Sequence, residues 1–237
     1  MGLTYEMVEQ RGPLFPQTIQ TKEDVDRVRI AQGHDLDYVL KAIQITKSQL
    51  AGRVPLIGFA GAPWTILAYM VEGSGSKTFS KAKRFLYTET AIAHSLLEKI
   101  TLSTIHYLKA QIRAGADMIQ LFDSWVGTLS PADYREFALP HTHKIFQTIG
   151  PRVPTIHFGT GTSTMFAELR EAGGDVIGVD WRIPIDDAWT RIGHDRAVQG
   201  NLDPVALLAG EDVVAAEVRR ICTSVDRQRH KIGRAHV

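Results

Sequence analysis

Cysteine is almost absent from this chain: Cys222 is the only one among 237 residues. One thiol excludes a disulfide within the chain and leaves a thiolate zinc site without its usual set of sulfur ligands. Because Cys222 lies in a late segment with helical spacing, we expect an inert core residue. Few cysteines are typical of a reducing compartment, so we expect a cytoplasmic protein.

Long apolar runs and an excess of one charge are also missing. No apolar run approaches the ~18 residues that suggest a membrane span, and the first residues lack a basic start followed by an apolar core. Lys and Arg number 27 against 26 Asp and Glu, which gives a formal net charge of +1. Without a basic stripe we expect neither nucleic acid nor a membrane as a partner, although local arginines can still bind a small polyanion.

Short apolar runs alternate with segments of helical spacing at least five times along the chain. This alternation is typical of a parallel sheet with helices outside it, either an open doubly wound sheet or part of a closed barrel. The predicted strands cover 54–60, 117–124, 154–158, 175–181 and 197–202. Two further predictions are an irregular segment over 1–34 and a helix over 131–149 that is interrupted at Pro140.

Candidate site residues follow the predicted strands, because α/β barrels place their chemistry at the carboxyl ends of the strands. Tyr69 lies in an apolar run shortly before a glycine–serine loop at 73–76. It is either a core tyrosine with a satisfied hydroxyl or a phenol presented to a ligand. Ser124 ends the second strand, where its hydroxyl either caps a turn or binds a ligand carboxylate.

Other polar residues at strand ends have a structural interpretation that we favour. His157 is more simply a hydrogen-bonded packing residue than an acid–base group. Asp180 and Arg182 either face a cavity or form a structural ion pair, and Asp203 is expected to cap a helix that starts at Pro204. No metal-binding histidine pair is evident, since the two histidines at 141 and 143 would not share a helix face.

Four segments, in order along the chain, together resemble one enzyme family. They are GFAGAPWTILAYMVEG (58–73), QLFDSWVGTLSP (120–131), DVIGVDWRIPI (175–185) and QGNLDP (199–204). All four resemble the uroporphyrinogen decarboxylase family, and the similarity runs through residues 1–225. Four motifs in the same order make the resemblance highly specific.

The resemblance implies a TIM-type (β/α)8 barrel, of which strands three to seven of eight are present here. It implies a carboxy-lyase that removes the carboxyl groups of the four acetate arms of uroporphyrinogen III and yields coproporphyrinogen III, on the route to haem. The implied enzyme needs no cofactor or metal, acts in the cytoplasm and is a homodimer at full length. Its small-molecule partner is uroporphyrinogen.

The resemblance also assigns site residues. Tyr69 takes the position of the active-site tyrosine of the family and is therefore expected to be catalytic and substrate-binding. Ser124 matches the Ser or Thr of the family, and Phe122 is expected to line the substrate pocket. Both are expected to be substrate-binding residues.

Three motifs of the family have no counterpart in these 237 residues: the arginine-rich RQAGR, the FSDIL with its aspartate, and the NLGHG with its histidine. We therefore expect residues 1–231 to form a single partial α/β-barrel domain with negligible decarboxylase activity by itself. The remaining residues, 232–237, are expected to be a non-native tail.

Two other functions remain as alternatives. Cobalamin-linked methyltransferases share the barrel but bind zinc through histidine and cysteines, and the lone Cys222 counts against them. The second alternative is a non-catalytic tetrapyrrole-binding protein, which requires that the chain naturally lacks the absent motifs.

Overall fold

The computed structural model describes residues 1–8 and 12–225. The predicted tail at 232–237 and the last residues of the predicted domain, 226–231, lie outside the described residues.

Strands and helices alternate along most of the described chain. The strands are β1 (Glu6–Val8), β2 (Gly12–Leu14), β3 (Ile57–Gly61), β4 (Met118–Asp123), β5 (Thr155–Gly159), β6 (Val176–Gly178) and β7 (Ala197–Gln199). The α-helices are α1 (Lys22–Arg27), α2 (Asp37–Leu50), α3 (Pro63–Glu72), α4 (Ser80–Thr88), α5 (Thr90–Ala114), α6 (Pro131–Asp133), α7 (Leu139–Ile149), α8 (Phe166–Ala172), α9 (Ile185–Ile192) and α10 (Glu211–Ser224).

Strands β3 to β7 form one parallel sheet in chain order. Each strand pairs in parallel with the next, and the connection between them always contains at least one helix. This confirms the predicted α/β class, and the unclosed five-stranded sheet is that of an incomplete barrel. The carboxyl ends of all five strands consequently meet at one edge, where the predicted site residues lie.

The prediction that residues 1–34 are irregular was wrong. Strands β1 and β2 pair as an antiparallel hairpin, and α1 begins with a capping box at Thr21. There the Thr21 hydroxyl accepts the Asp24 N–H at 3.2 Å, and the Asp24 carboxylate accepts the Thr21 N–H at 3.0 Å. The Thr-x-x-Asp pattern of this box was visible in the sequence.

The predicted helix over 131–149 is interrupted, but the interruption lies before Pro140 rather than at it. The chain passes from α6 into a wide π-helical turn, Tyr134–Ala138, before α7 begins. Proline lacks the backbone N–H that would continue the helix, and its ring clashes with the carbonyl four residues earlier. The widened turn removes both problems by placing Pro140 within the first turn of a new helix.

The sheet face that packs against the helices is apolar. Ala60, Ile119 and Leu121 point to this side, where α5 and α7 cover them. The covering side chains include Ile105, Leu108, Ile145, Phe146 and Ile149. Because side chains alternate along a strand, the residues between these three point to the opposite face, called the open face below.

The free edge of β3 is partly satisfied by a side chain. Residues on either side of Phe59 bond to β4, so the Phe59 backbone groups point away from the sheet. The Gln111 carboxamide of α5 accepts the Phe59 N–H at 3.0 Å and donates to the Phe59 carbonyl at 2.8 Å. One amide thus takes the place of a neighbouring strand at this position, which reduces the number of unpaired edge groups.

We expect Gln111→Leu to lower the free energy of unfolding by about 1–3 kcal/mol, because two backbone groups of the edge strand lose their partner. Urea unfolding followed by circular dichroism measures the change. Gln44→Leu is the matched control, since Gln44 is exposed on α2. Equal stability of the two variants would contradict the role given to Gln111.

Candidate functional site

A row of three phenylalanines lies on the open face. The Phe59 and Phe122 rings are 5.7 Å apart and nearly perpendicular, and Phe122 meets Phe158 at the same distance and a similar angle. Phe59 is 60% exposed although it lies within a strand. The sheet therefore presents a row of aromatic rings that is partly accessible, and we take this row as a candidate binding face.

Near the amino ends of the strands, the open face of the sheet is covered by apolar packing. Met118, Ile156 and Val176 pack there as a small buried cluster. Phe158 needs a glycine on the next strand, since a Cβ at Gly178 would lie 2.6 Å from its ring. The aromatic row thus lies between this buried apolar cluster and the carboxyl edge of the sheet.

Tyr69 lies in the last turn of α3 and is half-buried. Its ring packs edge-on against the rings of Phe79 and Trp125, with centroid distances of 6.4 and 6.1 Å. Within the described part of the chain its hydroxyl has no hydrogen-bond partner. The structure therefore holds the ring in place and leaves the phenol free to bind a ligand.

Ser124 follows β4 directly and is also half-buried. Its carbonyl accepts a hydrogen bond from the Thr160 hydroxyl, whereas its own hydroxyl has no partner among the described residues. The Ser124 hydroxyl therefore does not cap a turn in this part of the chain. Ser124 lies in the turn that follows β4, two residues after Phe122.

Trp125 connects the predicted site residues. It follows Ser124 in sequence, and its ring contacts both Tyr69 and Phe79. The last turn of α3 and the loop after β4 thereby bring a phenol and an alcohol into the same neighbourhood, and Ser124 follows Phe122 of the aromatic row by two residues. Such an arrangement can bury an aromatic ligand and donate hydrogen bonds to its polar substituents.

Asp123 does not join this site. Its side chain is fully buried on the helix-covered side, where Oδ1 accepts a 2.7 Å hydrogen bond from the Thr65 hydroxyl. Oδ2 has no partner in the described part of the chain. Burial raises the pKa of this carboxyl to about 7, and the bond from Thr65 opposes the rise only in part.

His157 also points to the helices, as the packing interpretation predicted. Its Nδ1 lies 3.3 Å from the Leu169 carbonyl and 3.2 Å from the Gly173 carbonyl, and its ring packs against Phe146. Burial lowers the pKa of His157 to about 4. The imidazole is therefore neutral at neutral pH, with its Nδ1 proton directed to main-chain oxygens.

Asp180 and Arg182 form the structural ion pair that we favoured. The buried Asp180 carboxylate accepts the Gly161 and Arg182 N–H groups as well as the Arg182 guanidinium. The Asn201 amide donates to the Asp180 carbonyl at 3.2 Å. These bonds tie together the loops after β5, β6 and β7.

Two further predictions have opposite outcomes. Asp203 caps the short 3-10 helix Pro204–Leu208, since its carboxylate accepts the Val205 N–H at 2.9 Å. Cys222 is exposed, so the expectation of a core cysteine was wrong. On α10 only Ile221 is buried, because the described residues place no further layer over this helix.

Neither a metal cluster nor a membrane span was found among residues 1–8 and 12–225. No group of three or more His, Cys, Asp or Glu side chains is arranged to hold a metal ion there. No helix in that part is long and apolar enough to cross a bilayer.

Sequence reasoning missed the groups that hold the loops in place. The Trp64 indole donates to the Trp125 carbonyl at 3.1 Å, and the Trp125 N–H donates to the Thr65 hydroxyl at 3.2 Å. The available signal was Thr65 itself, a polar residue in an apolar segment after the first strand. A polar side chain in such a place needs a buried partner.

Comparison with known sequences identifies close relatives. The family model described as Uroporphyrinogen decarboxylase (URO-D) matches residues 1–236. Proteins named uroporphyrinogen decarboxylase from Carboxydothermus hydrogenoformans and Geobacter metallireducens are 48% and 46% identical over 223 residues. These alignments cover 93% of this chain but only 64% and 65% of the two relatives, so the chain spans slightly under two thirds of their length.

Among solved structures, a methyltransferase from Methanosarcina mazei has a similar fold. The TM-score is 0.80, and the match covers 94% of this chain and 67% of the methyltransferase chain. At 21% sequence identity this similarity concerns the fold alone.

We expect Asp123→Asn to become more stable relative to the wild type as the pH rises from about 4 to about 7. Because the folded-state pKa of Asp123 is raised from 3.8 to about 7, the folded protein retains a proton that the unfolded chain has released. This group therefore destabilises the wild type progressively across that interval, by up to about 1.4 kcal/mol per pH unit. The carboxamide of the variant does not titrate, so its stability lacks this dependence.

Urea unfolding of both proteins at pH 5 and pH 7.5 tests this expectation. Buried histidines such as His157 lose stability as the pH falls, but they are present in both proteins and cancel in the difference. Asp195→Asn is the control, because a pKa of about 2 leaves Asp195 ionised at both pH values. A stability difference for Asp123→Asn that does not change with pH would rule out the raised pKa.

Proposed function

The chain belongs to the uroporphyrinogen decarboxylase family, and we propose that it supplies a substrate-binding part of an enzyme that converts uroporphyrinogen III into coproporphyrinogen III. The reaction removes the carboxyl groups of the acetate side chains. The observation that best supports the proposal is the partly exposed aromatic row, together with the hydroxyls of Tyr69 and Ser124, which have no partner among the described residues. Cytoplasmic location and homodimer formation belong to the same proposal and rest on family resemblance.

An aromatic row suits a tetrapyrrole. The macrocycle has an apolar body of pyrrole rings and a periphery of carboxylates. Phe59, Phe122 and Phe158 offer the body an apolar contact that buries area on both partners. The carboxylates at the periphery then reach the rim of the sheet, where the polar side chains are.

Tyr69 and Ser124 suit the periphery of such a ligand. Each hydroxyl can donate one hydrogen bond to a carboxylate, and bonds to charged acceptors are the stronger class. Tyr69 is oriented by two ring contacts, with Phe79 and Trp125. We assign Tyr69 to orienting the reacting side chain, Ser124 to binding a carboxylate and Phe122 to lining the pocket.

The chemistry needs an electron sink. Loss of carbon dioxide leaves an electron pair, which a pyrrole ring can accept once its adjacent carbon is protonated. Orientation of the acetate against that ring lowers the barrier by position alone. By resemblance, the groups that stabilise the cationic ring and neutralise the carboxylates lie in RQAGR and FSDIL motifs, which these 237 residues do not contain. We therefore expect these residues alone to bind the substrate and to turn it over very slowly.

Binding by the chain itself tests the proposal. Uroporphyrin, the stable oxidised form of the substrate, accepts excitation energy from tryptophan, and Trp125 contacts the proposed site. We expect saturable quenching of tryptophan emission that inositol hexakisphosphate, a polyanion without aromatic rings, does not reverse. Absence of saturable quenching, or full displacement by that polyanion, would refute an aromatic tetrapyrrole site.

In a decarboxylase of the relatives' full length that contains this chain, we expect Tyr69→Phe to lower kcat about tenfold or more with little change in KM. The phenol is assigned to orienting the reacting group, so its loss affects the chemical step. Anaerobic turnover of uroporphyrinogen, followed by chromatography of the oxidised products, measures both constants. Tyr38→Phe is the control, because Tyr38 is 72% exposed on α2.

In the same protein we expect Ser124→Ala to raise KM about tenfold with kcat largely kept, since a hydrogen bond to a carboxylate contributes about 1.5 kcal/mol or more. Ser48→Ala, on an exposed position of α2, serves as the control. Wild-type constants for Ser124→Ala would withdraw the assignment of this residue.

A further inference from the structure

The first turn of α3 holds the main chain of Trp125 at its N–H and at its carbonyl. The Trp125 N–H donates to the Thr65 hydroxyl at 3.2 Å. The Trp125 carbonyl accepts the Trp64 indole N–H at 3.1 Å and the Thr128 hydroxyl at 2.6 Å. The loop that carries Ser124 is therefore fastened to the helix that carries Tyr69.

The direction of these hydrogen bonds is fixed by chemistry. A backbone N–H can only donate, so the Thr65 hydroxyl must accept from Trp125. The single hydroxyl proton of Thr65 then goes to Asp123 Oδ1 at 2.7 Å. The carboxyl group thus selects the hydroxyl orientation in which an oxygen lone pair faces the Trp125 N–H.

Thr65 and Tyr69 are four residues apart on α3, so they lie on the same face of the helix. That face also receives the Trp125 ring, which contacts Tyr69. A bond from Thr65 to the Trp125 peptide therefore fixes the β4 loop one helical turn away from the Tyr69 side chain.

Burial of Asp123 is costly for stability. The residue is fully buried, Oδ2 has no partner in the described part of the chain, and Thr65 is only 5% exposed. A carboxyl group with one hydrogen bond in such a place contributes less to stability than an apolar side chain of similar size. Its presence is better explained by the orientation that it imposes on Thr65.

We propose that Asp123 and Thr65 are positioning residues, which set the separation of the Tyr69 and Ser124 hydroxyls through the Trp125 peptide. The inference deepens the proposed function and rests on it, because the groups being positioned are those assigned to the substrate. Asp123 and Thr65 are both buried, so we assign neither of them a contact with the substrate.

The test compares Thr65→Val, which keeps the shape but removes the hydroxyl, with Thr65→Ser, which keeps it. Thr142→Val is the matched control, because Thr142 is also fully buried and its hydroxyl has no partner among the described residues. Hydrogen exchange of the 124–128 backbone is measured without ligand, and uroporphyrin binding by tryptophan quenching. Both measurements use the 237-residue chain.

We expect Thr65→Val to exchange about tenfold faster over 124–128, as loss of one hydrogen bond predicts, and to bind uroporphyrin about tenfold more weakly. Thr65→Ser and Thr142→Val should resemble the wild type in both measurements. If Thr65→Val is too unstable, Asp123→Ala should show the same two effects, while Asp123→Asn, which keeps an acceptor oxygen for Thr65, should bind as the wild type does.

The outcomes distinguish the positioning role of Asp123 and Thr65 from the proposed function. Unchanged exchange in Thr65→Val and Asp123→Ala would overturn the positioning role, and so would faster exchange with wild-type affinity. Faster exchange confined to these two variants, with no uroporphyrin binding even by the wild type, would support the loop attachment and refute the proposed function.

Discussion

Side chains along β4 alternate between the open face of the sheet and the face that the helices cover. Phe122 points to the open face and Asp123, the next residue, points to the helices. A shift of one residue in the pairing of this strand would exchange the two, and it would bury an aromatic ring among helices while exposing a carboxyl group to the ligand face. The register of β4 against β3 and β5 is therefore the constraint on which the site depends.

The segments that carry the site, the loops after the strands and the helix α3, are attached to one another by hydrogen bonds. The loops after β4, β5, β6 and β7 are each attached to a neighbouring loop or helix by a hydrogen bond that is at least partly buried. Thr65 and Trp64 hold the loop after β4, the Thr160 hydroxyl holds the Ser124 carbonyl, and Asp180 holds the loop after β5. Attachment of this kind lowers the entropic cost of ordering the loops when a ligand binds.

The sequence was sufficient for the order of strands and helices, because apolar periodicity is a local property. It was also sufficient to predict an interruption of the helix over 131–149, although the irregular turn lies just before Pro140. It was insufficient for the hairpin at the start of the chain, whose three-residue strands are too short to show a period. The exposure of Cys222 was missed as well, since helical spacing alone does not show what covers a helix.

Some residues of the site could be proposed from the sequence, whereas the roles of others depend on the folded structure. Tyr69, Ser124 and Phe122 were proposed from motif resemblance and strand-end position, both of which can be read directly from the sequence. The direction in which Asp123 points, and the partner it finds in Thr65, depend on which face of β4 the helices cover, and that is decided by packing of residues far apart in sequence.

The buried pair of Asp123 and Thr65 is not explained by its contribution to the stability of the fold. A carboxyl group that is fully buried with one hydrogen bond has a pKa of about 7, so at neutral pH it is balanced between a charged form that is poorly solvated and a neutral form. Either form accepts a hydrogen bond at Oδ1, and the Thr65 hydroxyl keeps its orientation in both. The geometry of the loop after β4 is thus the same whether or not the Asp123 carboxyl is protonated. An apolar residue at this position would remove the stability cost, but it would no longer orient the Thr65 hydroxyl.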